Sequence, residues 1–329
     1  MGGPGRVRSL RTDEHEGFDR PRRRSRPRTK ERPDYSGLPQ ALVVSIDRGR
    51  YRCLVNDRHV TAVRGRLIDR KGIIVGDRVR LDGDTTGDEG TLARVVEVLE
   101  RSTILRRSAD DADTFERPIV ANADQLFIVT ALADPPPRVG MIDRILVAAY
   151  DARITPVLCL TKADLASPDE LREAYEPLGV PILVTEPGSD LAAVREALAD
   201  HSTVFIGHSG VGKSTLVNRL VPGASRATGE VSELTGKGRH TSTSALAMAL
   251  PDGGWIIDTP GVRSFGISHV GVGSILGAFG DLSELAEDCP RGCRHDSTAP
   301  ECALDDAVAD GRLAPSRLAS FRRMERAFT

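Results

Sequence analysis

The rhythm of hydrophobic and polar positions divides the 329-residue chain into four segments. Residues 1–35 show no period and hold four prolines, the run Arg22-Arg23-Arg24 and almost no large aliphatics. Such a stretch cannot offset its ordering entropy by burial, so a disordered basic arm is expected. Over 36–107, short alternating runs between turn residues predict strands at Ala41–Ile46, Arg50–Val55, His59–Val63, Asp77–Leu81 and Thr91–Leu99. Five strands of this size predict a small barrel with Gly65, Gly72 and Gly76 at its bends. It is either an OB-fold, the oligonucleotide-binding Greek-key type, or an SH3-like barrel without a nucleic-acid role.

Over 108–270 apolar strands alternate with amphipathic helices. Strands are predicted at Gln125–Leu132, Thr155–Leu160, Pro181–Thr185, Thr203–Ile206 and Trp255–Ile257, and helices at Met141–Asp151, Pro168–Tyr175 and Leu191–Ala199. This is the grammar of an α/β domain built on a mostly parallel sheet. From 271 to 329 the strand signals stop, leaving a small α-helical region that ends in an Arg-rich helix at Pro315–Phe328.

Composition narrows the class. With 40% hydrophobic residues the chain can bury more than one core. No run approaches the roughly 18 apolar residues of a membrane span, and no apolar stretch follows the basic N-terminus, so a cytoplasmic address without membrane association is expected. A net charge of −2 conceals segregation, since residues 1–35 carry eleven Lys or Arg against six Asp or Glu. A basic arm beside a barrel points to RNA held by phosphate neutralisation and shape, although such tails also serve only as solvated segments. Aromatics, at 4%, are too sparse for extended base stacking, with Tyr51 the candidate stacker in the barrel.

Gly207-His208-Ser209-Gly210-Val211-Gly212-Lys213-Ser214 fits the phosphate-loop pattern G-x-x-x-x-G-K-[ST], after the predicted strand Thr203–Ile206 and before a helix-like run over Thr215–Leu220. Its glycines let backbone N–H groups turn around phosphates, Lys213 can reach the terminal phosphates, and Ser214 is placed to ligate magnesium. Asp258-Thr259-Pro260-Gly261 follows another predicted strand, so Asp258 can hold the magnesium shell and the Gly261 N–H can meet the terminal phosphate; an ordinary strand-to-turn junction reads the same way. Between the two lies Gly236 to Thr243, a polar stretch where a switch loop belongs, with Thr241 or Thr243 as the second magnesium hydroxyl. Val262 stands where many such enzymes have a water-orienting Gln, so slow unaided hydrolysis is expected. The missing group comes from His240 or from a partner surface, while Lys213, Thr241 and the metal stabilise charge.

Thr161-Lys162-Ala163-Asp164 resembles the N-K-x-D guanine motif. The two oxygens of Asp164 can accept from guanine N1–H and the exocyclic amine together, a donor pair adenine lacks, while Lys162 lies along the base. Thr in place of Asn is expected to weaken the tie between base and phosphate loops. The base motif precedes the phosphate motifs instead of following them, which is a circularly permuted order. Near the C-terminus Cys289, Cys293, His295 and Cys302 supply three thiols and one imidazole within a short span, enough for a closed structural zinc site, with unliganded cysteines as the alternative.

A barrel, then TKAD, GHSGVGKS and DTPG in that order, then a Cys-Cys-His-Cys cluster resembles the ribosome small subunit-dependent GTPase A (RsgA, or YjeQ) family over about residues 36–329. The resemblance implies a multidomain chain: an N-terminal OB-fold β-barrel, a central circularly permuted α/β P-loop GTPase domain and a small C-terminal α-helical zinc-binding domain. It also implies a monomer that hydrolyses GTP to GDP with Mg2+, stimulated by the small ribosomal subunit and its rRNA during late maturation. The cysteine spacing departs from the family's by one residue on each side of the pattern, which puts Cys289 in question, and the basic arm lies outside the family core. Two rivals remain: a nucleotide-gated RNA-binding module, and an ATP-using kinase or transport ATPase, with which TKAD conflicts.

Overall fold

Alternation builds the barrel. The computed structural model describes residues 33–69, 72–107, 117–224, 245–259, 276–277 and 279–326. Strands β1 (Gln40–Asp47), β2 (Arg50–Val55), β3 (Arg58–Arg64), β4 (Arg78–Gly83) and β5 (Ala93–Val98) run in the order β1-β2-β3-β5-β4, and β1 also pairs with β4, which closes the barrel as an OB-fold. In β2 the inward positions Tyr51, Cys53 and Val55 are buried with Val43, Val60, Ala62, Val79, Leu81 and Val95, while Arg50 and Arg52 face out. Tyr51 is 4% exposed, so it fills the barrel and is not available to stack on a base. The expected alternation held, but the use of that tyrosine did not.

A hairpin of β6 (Ile104–Arg107) and β7 (Arg117–Ala121) follows as a separate two-stranded sheet. The central sheet then adds β8 (Gln125–Ala131), β9 (Thr155–Thr161), β10 (Ile182–Val184), β11 (Ser202–Gly207), β12 (Leu246–Ala249) and β13 (Trp255–Asp258) in the order β10-β9-β8-β11-β13-β12. Strands β8 to β11 and β13 pair in parallel, and β12 runs antiparallel at the edge. Parallel strands buried on both faces read as unbroken apolar runs, as β8 does in Gln125–Ala131. Leu126 and Ile128 enter one core with helix α1 (Val139–Asp151), whereas Phe127, Val129 and Ala131 enter the other with α3 (Ala192–Leu198) and α4 (Lys213–Leu220). A short helix α2 (Asp169–Tyr175) follows β9 on the first side.

Two joints went unseen in the sequence. Val43 faces the barrel and Val44, its neighbour on the opposite face of β1, enters the core shared with α1; past a bulge between Val43 and Ser45, Ser45 pairs with Leu246 of β12. Barrel and central sheet thereby become one eleven-stranded sheet. The C-terminal helices α5 (Gly280–Ala286), α6 (Ala303–Ala309) and α7 (Pro315–Glu325) place Leu282, Leu304, Phe321 and Met324 in the same core as α1. Arg323 of α7 sits over the Tyr175 ring at 4.8 Å and pairs with buried Asp143 at 3.2 Å. Among the described residues no helix is long and apolar enough to cross a membrane.

Candidate functional site

The site lies where parallel strands end. Register pairs Val129 of β8 with Gly207 of β11 and Ala131 with Thr161 of β9, so the phosphate loop and the base motif leave the same sheet edge on either side of β8. Phe205 pairs with Asp258, which brings the third motif to that edge from the other flank of β11. Ligands in open α/β sheets sit at this carboxyl edge.

The phosphate loop joins β11 to α4. Gly210 and Gly212 have φ of 86° and 87°, a region costly for residues with a side chain, and Gly212 is the N-cap of α4. His208 donates from Nδ1 to the Ser209 oxygen at 2.8 Å, Ser214 and Thr215 are exposed at the helix start, and Val211 is buried. Lys213 is buried, and its ammonium donates to Asp258 and, at 2.7 Å, to the Thr259 main-chain oxygen. The lysine expected at phosphate is thus compensated by the carboxylate expected at magnesium. Ser214 and Asp258 supply two oxygens suited to that hard cation. Thr241, Thr243, His240, Val262 and Gly261 lie outside the described residues.

In the base motif Asp164 is exposed at the mouth and Lys162 has φ of 58°. The Lys162 ammonium donates to the Asp134 oxygen, in the Asp134-Pro135-Pro136-Pro137-Arg138 loop after β8. The Ala163 N–H donates to Thr185 at 3.2 Å, and the Thr185 N–H to Leu160 at 2.7 Å, so the end of β10 braces the motif from behind. Pro135, Pro136 and Arg138 line a small cavity with His208 and Val211 of the phosphate loop. Sequence reading missed both supports; the Pro-run marked a loop but not its neighbours. Thr161 is buried and its hydroxyl donates to the Val211 oxygen at 2.6 Å, a tie between the two loops where a weakened one was expected.

In the C-terminal segment the ligand atoms of Cys289, Cys293, His295 and Cys302 all lie within 4.8 Å of one another. The set fits a tetrahedral metal by its donors and by what points at them. The His295 N–H donates to Cys293 Sγ at 3.4 Å and the Ala303 N–H to Cys289 Sγ at 3.3 Å, contacts that favour thiolates. Burial, then the neighbouring Cys293 and Cys289, push the Cys302 thiol up to about 11, and burial followed by the Arg322 charge lowers His295. The Cys302 thiol therefore resists ionising until a cation joins it, and burial favours the neutral imidazole of His295, the form a metal ligand needs.

A parallel sheet with its base motif upstream of its phosphate loop defines a circularly permuted P-loop GTPase. The RsgA GTPase family model matches residues 98–268. The small ribosomal subunit biogenesis GTPase RsgA of Pseudomonas aeruginosa (strain LESB58) is 40% identical over 261 residues, 77% of this chain and 75% of the relative. That of Azotobacter vinelandii is 40% identical, covering 77% and 74%. YjeQ from Thermotoga maritima superposes with a TM-score of 0.66 at 27% identity, over 88% of this chain and 98% of its own. YloQ, described as a circularly permuted GTPase, gives 0.66's near equal of 0.63 at 25% identity, over 89% and 96%. This chain belongs to the RsgA GTPase family, and its activity is GTP hydrolysis.

Proposed function

We propose that the chain acts in biogenesis of the small ribosomal subunit, binds its rRNA and hydrolyses GTP faster on the subunit than alone. The observation that carries the nucleotide part is the convergence of Thr161–Asp164, Gly207–Thr215 and Asp258 on one sheet edge. Asp164 reads guanine, with Thr161, Lys162 and Ala163 shaping its loop. Gly207, His208, Ser209, Gly210, Val211 and Gly212 cradle the phosphates, and Lys213 neutralises them. Ser214, Asp258 and Thr241 hold magnesium, whose charge stabilises the transferring phosphoryl group. Gly261 meets the terminal phosphate, and His240 or the subunit surface orients the attacking water, because no Gln follows Gly261.

The relatives' printed names supply the subunit, and the OB-fold with outward Arg50 and Arg52 supports an RNA contact dominated by phosphates. Zinc is the metal of the Cys289, Cys293, His295 and Cys302 set, because three sulfurs and one imidazole suit it better than magnesium or calcium. The working unit is a cytoplasmic monomer whose basic N-terminal segment adds positive charge for RNA.

GTP and ATP hydrolysis by the full chain, with and without purified small subunits, tests the assignment. GTP-selective turnover that rises strongly with subunits is expected. Unstimulated turnover, or ATP selectivity, would remove the ribosomal role.

A further inference from the structure

Strands β1 and β12 share one pair, Ser45 with Leu246, and then part. Strand β1 joins β2 in the barrel, while β12 continues to Ala249 against β13 alone among the described residues. Their parting leaves a groove of about 390 Å3 between the outer face of the barrel and the edge of the central sheet. On the barrel side stand Arg52 and Leu54 of β2 with His59 of β3, which face outward between the buried Cys53, Val55 and Val60, and Asp57 of the turn that joins the two strands. Across from them is Trp255, the single tryptophan of the chain, at the start of β13. Its cross-strand neighbour is Ala249, too small to cover an indole. Trp255 is only partly buried against the central core, and its indole N–H has no hydrogen-bond partner among the described residues, so that donor is available to an incoming acceptor.

We propose that this groove takes one unpaired RNA nucleotide. Trp255 offers the plane on which a base stacks, Arg52 a guanidinium for phosphate, and Asp57 and His59 groups that can meet the hydrogen-bonding edge of the base. One plane fits one base, which suits a chain whose aromatics are few and whose barrel tyrosine, Tyr51, is buried. A base inside a duplex is not a candidate, because its faces are already stacked on its neighbours. Phosphate alone is a poorer occupant, since Leu54, Ala249 and the indole make much of the wall apolar and Asp57 repels an anion. The inference rests on the reading that the chain binds RNA, and it adds to the phosphate contacts of the barrel a site that tells single strands from duplexes.

Because the chain has one tryptophan, its fluorescence reports this groove directly. Titration of the full chain with single-stranded oligo(A) or oligo(C) of about ten nucleotides should give saturable quenching, while a hairpin duplex of similar length should leave the emission unchanged. Anisotropy of labelled RNA follows binding in parallel. Trp255→Ala should weaken single-strand affinity about tenfold, and Trp255→Phe, which keeps a ring, by less than about threefold. Arg52→Gln should lower the slope of log affinity against log salt by about 0.7, the share of one phosphate on a single strand. Single-strand binding that leaves the Trp255 emission unchanged, or a duplex that quenches it equally, would overturn the proposal and leave RNA binding intact. Trp255→Ala that keeps its affinity for single strands but loses the small subunit would give the groove to a protein segment instead. Should Trp255→Ala fail to fold, the emission of the unmodified chain and the salt slope of Arg52→Gln decide the matter. No RNA binding by either signal would sink the RNA reading itself.

Discussion

The Lys213 ammonium donates to Asp258, with both side chains partly or wholly shielded from water. A buried ammonium without a partner is costly, and the Asp258 carboxylate supplies one. On the proposed reading the cation would take Asp258 and the phosphates would take Lys213. This predicts an unusual sign. With magnesium removed by EDTA, Asp258 still competes for the lysine and repels phosphate, so Asp258→Asn should bind GDP about three- to tenfold more tightly than the unmodified chain. With magnesium restored the order should reverse, because the variant has lost its cation anchor. Equilibrium titration of both proteins in both buffers reads this directly, and a variant weaker in both conditions would show that Asp258 serves only the metal. These residues were legible in the sequence because each sits in a short motif at a predicted strand end. The partnership between them was not, since nothing in a motif states which groups pair when the ligand is away.

Elements were legible where a single period ran uninterrupted, and less so where two cores share a strand. The runs predicted at Arg50–Val55 and Gln125–Leu132 match β2 and β8 almost residue for residue. By contrast β6, β7 and β12 were not predicted: arginine and proline interrupt the short apolar runs of β6 and β7, and β12 is built of Leu, Ala and Met, which carry little strand preference. The cysteine cluster was legible as chemistry but not as a fold-forming joint. Cys302 is the N-cap of α6, Arg322 of α7 donates to the His295 oxygen at 2.8 Å, and the same guanidinium grips Asp305 of α6 at 2.7 and 2.8 Å. The Cys-Cys-His-Cys cluster, α6 and α7 are therefore one mechanical unit. Elemental analysis should find one zinc per chain, and Cys302→Ser should lose it. That loss should lower the melting temperature by on the order of 5 °C and speed amide exchange in Ala303–Ala309 and Pro315–Glu325. A zinc-free variant with undiminished protection in those helices would show that the shared core, not the metal, orders them.

At the scale of the whole molecule, the permuted order places the barrel and the nucleotide edge on one continuous sheet. Strand β12 follows the switch stretch in sequence, pairs on one side with β13, whose last residue is Asp258, and on the other with Ser45 of β1. A change at Asp258 or in the preceding stretch has a two-strand path to the barrel, through backbone pairing that does not depend on a linker. Contiguity alone does not demonstrate coupling; a shift in the stability of β1 with nucleotide state would. If the path carries even 1–3 kcal/mol, about the usual size of such couplings, opening of β1 is slowed about five- to 150-fold. Amide exchange of the full chain should therefore be slower around Val43–Asp47 with magnesium and a non-hydrolysable GTP analogue than with GDP. Val60 and Ala62, in the interior of β3, serve as the internal reference, because they are shielded by the barrel core and do not touch β12. Identical exchange at β1 in the two states would mean that the barrel is carried passively, and that any nucleotide control over RNA binding passes through the switch stretch itself.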